Sequence, residues 1–126
     1  DYSERSYQLE HGGQWTKGKS YDTFAPFGPV LVTKDEIPNP DNLDLELKVN
    51  GEVRQKANTS QLIMPVAQLV AYVSQFMTLN PGDVVSTGTP GGVALGMNPP
   101  RYLKPGDVVE FSCPAIGTVT QVVEEE

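Results

Sequence analysis

A mainly β fold of the α+β class is predicted for this chain, on three observations. Residues 43–49 alternate, with Leu43, Leu45, Leu47 and Val49 set against Asp44, Glu46 and Lys48, which is the period of a half-buried strand. Asn50-Gly51 follows, the pair that fills both positive-φ positions of a type I′ hairpin turn. The 12 glycines and 11 prolines are scattered along the chain, as turns between short strands require and as a disordered tract does not.

Taken in order, residues 1–29 are polar and aromatic, with no helical or strand period. Residues 30–33 are a short apolar run before Lys34-Asp35-Glu36 and a Pro/Asn loop over 38–42. After the 43–49 strand and its turn, residues 52–56 are expected to return as the partner strand. Asn58, Thr59 and Ser60 break the pattern. Beyond Pro65, the apolar residues Val66, Leu69, Val70, Val73, Phe76 and Met77 fall at helical spacing. Proline suits the first turn of that helix, Asn80-Pro81-Gly82 is expected to end it, and its stripe is expected to face the core. Pro81-Gly82-Asp83-Val84-Val85 and Pro105-Gly106-Asp107-Val108-Val109 each read as a turn feeding a strand. Two copies of five residues are too little for a repeat architecture. Residues 118–123 read as the last strand, and Glu124-Glu125-Glu126 as a solvated end.

At 126 residues the chain is long enough for one domain with a real core and too short for two. The net charge is −7, from 16 acidic and 9 basic residues, so a phosphate backbone is repelled and nucleic acid is not an expected partner. A small anionic substrate stays compatible, because a few residues and any bound cation set the field in a pocket. Cys113 is the single cysteine; it allows no intrachain disulfide and reads as a small packing residue. No apolar run approaches the roughly 20 residues of a membrane span, and no signal peptide is recognisable. The expected compartment is the cytoplasm, or an organelle if a targeting segment lies upstream. The chain opens on Asp1 without an initiator methionine, as a processed product or a piece of a longer chain would.

One motif is refused. Residues 13–20 spell G-x-x-x-x-G-K-[ST], but a phosphate-binding loop needs a buried strand before it and a helix after it. Residues 4–11 are no buried strand, and Phe24-Ala25-Pro26-Phe27-Gly28-Pro29 is no regular helix. Residues 87–92 are also Gly-rich and lack both the lysine and a following helix.

Three segments, in register along the chain, resemble the fumarylacetoacetate hydrolase family. Asp1-Tyr2-Ser3-Glu4-Arg5-Ser6-Tyr7-Gln8 fits the family form D-x-[ST]-x-R-x-x-Q. Gly18-Lys19-Ser20-Tyr21-Asp22-Thr23-Phe24 follows, then Gly28-Pro29. Ser86-Thr87-Gly88-Thr89-Pro90-Gly91-Gly92-Val93 is the third, preceded by Pro81-Gly82-Asp83. Val49-Asn50-Gly51-Glu52 and Gln75-Phe76-Met77-Thr78-Leu79 also fall where the family has similar strings.

The resemblance implies a mixed β-sandwich roll, commonly a homodimer, and a metal-dependent hydrolase. Its reaction would cleave a C–C bond in a small β-diketo acid, an acylpyruvate or a sugar-derived 2,4-diketo acid. Oxaloacetate-type decarboxylation and keto–enol tautomerisation are the alternatives within the family, and an inactive structural fragment is a third. By the same resemblance Asp1 is a ligand of Mg2+, Mn2+ or Ca2+, with Thr23 as its support. Lys19 polarises a substrate oxygen, Arg5 and Gln8 hold the substrate's oxygens, and Thr89 binds its carboxylate end. A hard carboxylate suits such an ion, and the ion suits an enolate-forming reaction. The family's catalytic histidine lies upstream, so His11 is expected to be a surface loop residue. Two more glutamates, spaced E-x-E, and the water-activating histidine–glutamate pair are likewise expected before residue 1. Residues 1–126 would then be the carboxy-terminal portion of one catalytic domain, inactive alone.

Overall fold

The computed structural model describes residues 1–125; Glu126, expected in a solvated end, lies outside them. β1 (Asp44–Val49) and β2 (Glu52–Asn58) form the hairpin that the alternation predicts. Asn50 and Gly51 both take positive φ, 51° and 79°, as a type I′ turn demands. β3 (Val108–Cys113) pairs antiparallel with the other edge of β1, and β4 (Gly117–Val122) with β3. The result is one four-stranded antiparallel sheet of order β2-β1-β3-β4. Asn50 also ties the turn to β3: its Nδ2 donates to Asp107 Oδ1 at 2.8 Å, and its Oδ1 accepts from the Val108 N–H at 2.9 Å. The mainly β, α+β expectation stands.

The hairpin is not regular throughout. Leu47 pairs with Gln55 while Lys48 pairs with Val53, so Arg54 is the extra residue of a β-bulge. Val109 and Cys113, on the inner strand β3, are buried at 3% and 2% exposure. Cys113 is thus the packing residue expected. The sizeable core expected from chain length is not what the described residues build: Phe27, Leu31 and Ile63 are 86%, 93% and 101% exposed. The reason is architectural, since the sheet is a single layer and neither helix packs closely across it.

Two short helical pieces occupy the region without a readable period. α1 (Arg5–Leu9) is followed by a 3-10 turn over Trp15–Gly18. Five residues are too few to display a 3.6-residue stripe. The second helix, α2 (Val66–Val73), starts after Pro65 as expected but stops well before Asn80. At its end the Ser74 hydroxyl donates to the Ala71 carbonyl, and the Gln75 and Phe76 N–H groups bond three residues back. That tightening ends the α ladder early. Val66, Leu69 and Val73 are half-buried, whereas Val70, Phe76 and Met77 are exposed, so the stripe faces the core only in part. A further correction concerns residues 83–90. Pro81-Gly82 turns as predicted, but Val84 and Val85 enter no ladder, and Val84 is largely exposed.

Candidate active site

The local fold of residues 1–24 begins with Glu4. Its carboxylate accepts from the Ser6 hydroxyl at 2.7 Å and the Ser6 N–H at 2.9 Å, capping α1. Those two bonds, the hydroxyl's first, hold its carboxyl below the usual glutamate range. Gly12 and Gly13, at positive φ, turn the chain back, and the Gln14 side chain caps the 3-10 turn. The returning strand of chain packs on α1 at Gly18. A Cβ there would stand 2.5 Å from the Glu4 carbonyl oxygen and 2.7 Å from Gln8 Cβ. Only glycine allows that approach. The Glu4 N–H then donates to the Gly18 carbonyl at 2.8 Å.

This contact sets the position of Lys19, the next residue. Its Nζ donates to Asp1 Oδ1 at 2.9 Å, with the lysine 26% exposed and the aspartate 53%. Partial burial, and then the charge of Arg5, press the Lys19 pKa below the ordinary lysine value. Arg5 itself is held from α1, where Nη1 donates to Gln8 Oε1 at 2.6 Å. Gln8 is fully buried and its Nε2 has no hydrogen-bond partner. Tyr2 links this corner to the sheet, its hydroxyl donating to Gln121 Oε1 at 2.6 Å and its N–H to the Phe24 carbonyl. Beneath it, Tyr2, Phe24, Tyr21 and Tyr7 meet in edge and tilted ring contacts.

The remaining residues singled out by sequence fall elsewhere. Thr23 is exposed in the turn after Lys19, and no hydrogen bond joins it to Asp1 or Lys19. Thr89 sits on a different support, its hydroxyl accepting from Gln55 Nε2 at 2.8 Å. Gln55 also donates to the Pro90 carbonyl at 3.0 Å. Two residues on, Gly92 (φ 104°) lies against β2 so closely that a Cβ would overlap the Arg54 carbonyl oxygen. Gln55 was not foreseen from sequence; a contact across 34 positions leaves no local signal. His11 is exposed, stacked on Tyr7 with ring centroids 4.5 Å apart, and its Nδ1 is 3.1 Å from the Ser6 carbonyl oxygen. That agrees with a surface residue. Residues 13–20 follow a helix and lead into turns, not the strand–loop–helix of a phosphate cradle.

A divalent ion asks for several converging oxygens. Asp1 fits as one donor, an exposed carboxylate beside a cation. Among the described residues no three His, Cys, Asp or Glu side chains converge on one point. No helix among them is long and apolar enough to cross a membrane.

Residues 1–124 match the family model described as fumarylacetoacetate (FAA) hydrolase C-terminal. The chain spans about half the length of the curated relatives it matches, 44% of the first of them. It is similar to the fumarylacetoacetate hydrolase of Exiguobacterium antarcticum, with TM-score 0.93 and 44% identity over 98% of this chain and 44% of that one. It is also similar to the 5-carboxymethyl-2-hydroxymuconate delta-isomerase of Mycobacterium smegmatis, with TM-score 0.85 and 40% identity over 98% and 45%. A third likeness is to the maleylpyruvate hydrolase of Sphingobium sp. SYK-6 in complex with manganese(II) and pyruvate, with TM-score 0.78 and 37% identity over 90% and 40%. With its matched segment covering nearly every residue, the chain belongs to the fumarylacetoacetate hydrolase family.

Proposed function

We propose that the intact protein is a divalent-metal hydrolase that cleaves a C–C bond in a small β-diketo acid, and that residues 1–126 form the carboxy-terminal portion of its catalytic domain. The observation that carries this is the Lys19–Asp1 pair at 2.9 Å, built by the segments that resemble the family. A manganese-bound relative lends support, as the Sphingobium maleylpyruvate hydrolase was crystallised with manganese(II) and pyruvate.

Each residue then takes the role that the resemblance implies. Asp1 offers one oxygen to Mg2+, Mn2+ or Ca2+, and the other ligands come from carboxylates outside the described residues. The ion, when bound, supplies Lewis-acid polarisation. Lys19 Nζ, partly desolvated, donates a hydrogen bond to the substrate oxygen on which negative charge develops as the C–C bond breaks, where a fixed donor is most effective. Arg5 and Gln8 hold the substrate's oxygens, and Gln8 Oε1 also keeps the guanidinium in place. Thr89, fixed by Gln55, takes the substrate's carboxylate end, and Thr23 supports the metal site. His11 is left out of water activation, which falls to groups outside this chain.

A second reading, keto–enol isomerisation, is favoured by the likeness to the M. smegmatis isomerase; oxaloacetate decarboxylation shares its enolate chemistry. We place the protein in the cytoplasm, or in an organelle if a targeting segment lies upstream. We assign the exposed apolar residues of α2 and the 27–31 segment to contacts that complete a β-sandwich roll and a homodimer.

Turnover of acylpyruvate and oxaloacetate by the intact protein, with Mg2+ or Mn2+, tests the assignment. Acylpyruvate is expected to be cleaved to pyruvate and a carboxylic acid, and Lys19→Met to lower kcat by roughly 10²–10³. Turnover of neither compound would count against the C–C hydrolase and the decarboxylase.

A further inference from the structure

A hollow of about 390 Å³ opens where the tip of the β1–β2 hairpin meets the 100–104 loop; Asn50, Arg54, Arg101, Tyr102, Lys104 and Asp107 are among the residues lining it. It shares no residue with the Asp1–Lys19 cluster. The β-bulge accounts for Arg54's place there: as the unpaired residue of β2, its side chain is redirected out of the regular alternation.

Arg54 is poorly served for a cation so enclosed. Its side chain is 11% exposed, and its nearest carboxylate oxygen, Glu52 Oε1, lies 3.7 Å from Nε, beyond hydrogen-bond reach. Nη1 donates to Met97 Sδ at 3.1 Å, a weak acceptor. Nε is buried with no hydrogen-bond partner at all, a costly condition for a charged donor. The acids nearby are engaged by others. Both Glu52 oxygens accept from Arg101, at 2.9 Å each. Asp107 accepts from Asn50 Nδ2 and from the Lys104 N–H, at 2.8 Å each. Lys104 is exposed and its ammonium makes no hydrogen bond or close ion pair among the described residues, its charge reaching Asp107 only at longer range. Three cations against one carboxylate line the hollow, with Glu52 just beyond.

We infer that this hollow binds a small oxyanion, which accepts hydrogen bonds from Arg54 and Lys104. A guanidinium and an ammonium both suit a carboxylate or a phosphate group. The volume lies at the small end of ligand sites, and Tyr102 and Leu103 give one wall apolar character that a compact organic body would cover.

Calorimetric titration of the intact protein with inorganic phosphate, and separately with benzoate, at constant ionic strength tests the site. Saturable binding of at least one is expected, and which one binds separates a phosphate from an organic acid. Arg54→Gln should weaken it about tenfold or more, Lys104→Gln by a smaller factor, and Lys19→Met not at all. Lys104 is exposed, so its variant carries the test even if Arg54→Gln fails to fold. Binding of neither anion, affinity untouched by both pocket variants, or an equal loss in Lys19→Met would overturn the site. None of these outcomes depends on turnover, so the proposed reaction stands or falls separately.

Discussion

Two glycines and one carboxylate carry most of the geometry at the scale of single residues. Gly18 brings the Lys19 backbone onto α1, and its close approach to Glu4 and Gln8 predicts that Gly18→Ala destabilises by about 1–3 kcal/mol. Thermal melts would show this, together with loss of turnover as the Lys19 ammonium shifts. Gly92→Ala should cost more, roughly 2–5 kcal/mol, because backbone overlap adds to left-handed strain. Glu4 gives a pH dependence. Its folded carboxyl is held below the ordinary value by Ser6, so its cap contributes fully above the ordinary glutamate range and is lost as the pH falls through the depressed folded value. Melts of wild type and Glu4→Gln should therefore converge in acid and diverge near neutrality. None of this was legible in the sequence. Gly18 was noted beside a lysine, but only the fold reveals that α1 lies against it. The Asp1–Lys19 meeting followed from family resemblance, not from any local pattern spanning 18 positions.

Elements were readable in proportion to their local signal. The β1–β2 hairpin combines a strict alternation with Asn50-Gly51, and both signals act within a dozen residues. Gly51→Ala is predicted to lose about 1–2 kcal/mol by urea denaturation, since φ 79° sits where a Cβ is strained. The bulge at Arg54 was invisible, because it arises from how β2 aligns with β1 rather than from composition. α2 was placed but overextended. Phe76 and Met77 continue the helical spacing, yet Ser74 closes back on Ala71, and side-chain competition of that kind outranks periodicity. Val84 and Val85 look like a strand and stay unpaired, since strand formation depends on a neighbour that local sequence does not specify.

At the scale of the whole molecule, a single-layer sheet with exposed Phe27, Leu31, Ile63 and Phe76 is a surface suited to further protein contact. The acidic composition argues against a nucleic-acid partner without saying what does bind, and fold class alone does not name a reaction. The proposed chemistry turns on one carboxylate and one ammonium 2.9 Å apart, with an ion shared between Asp1 and ligands outside the described residues. Steady-state turnover of an acylpyruvate by the intact protein, followed against Mn2+ concentration for wild type and Asp1→Asn, addresses that directly. Turnover should vanish with a chelator, and Asp1→Asn should raise the Mn2+ needed for half-activity by at least roughly tenfold. Cleavage that persists without the ion, or an Asp1→Asn enzyme with an unchanged ion requirement, would contradict it.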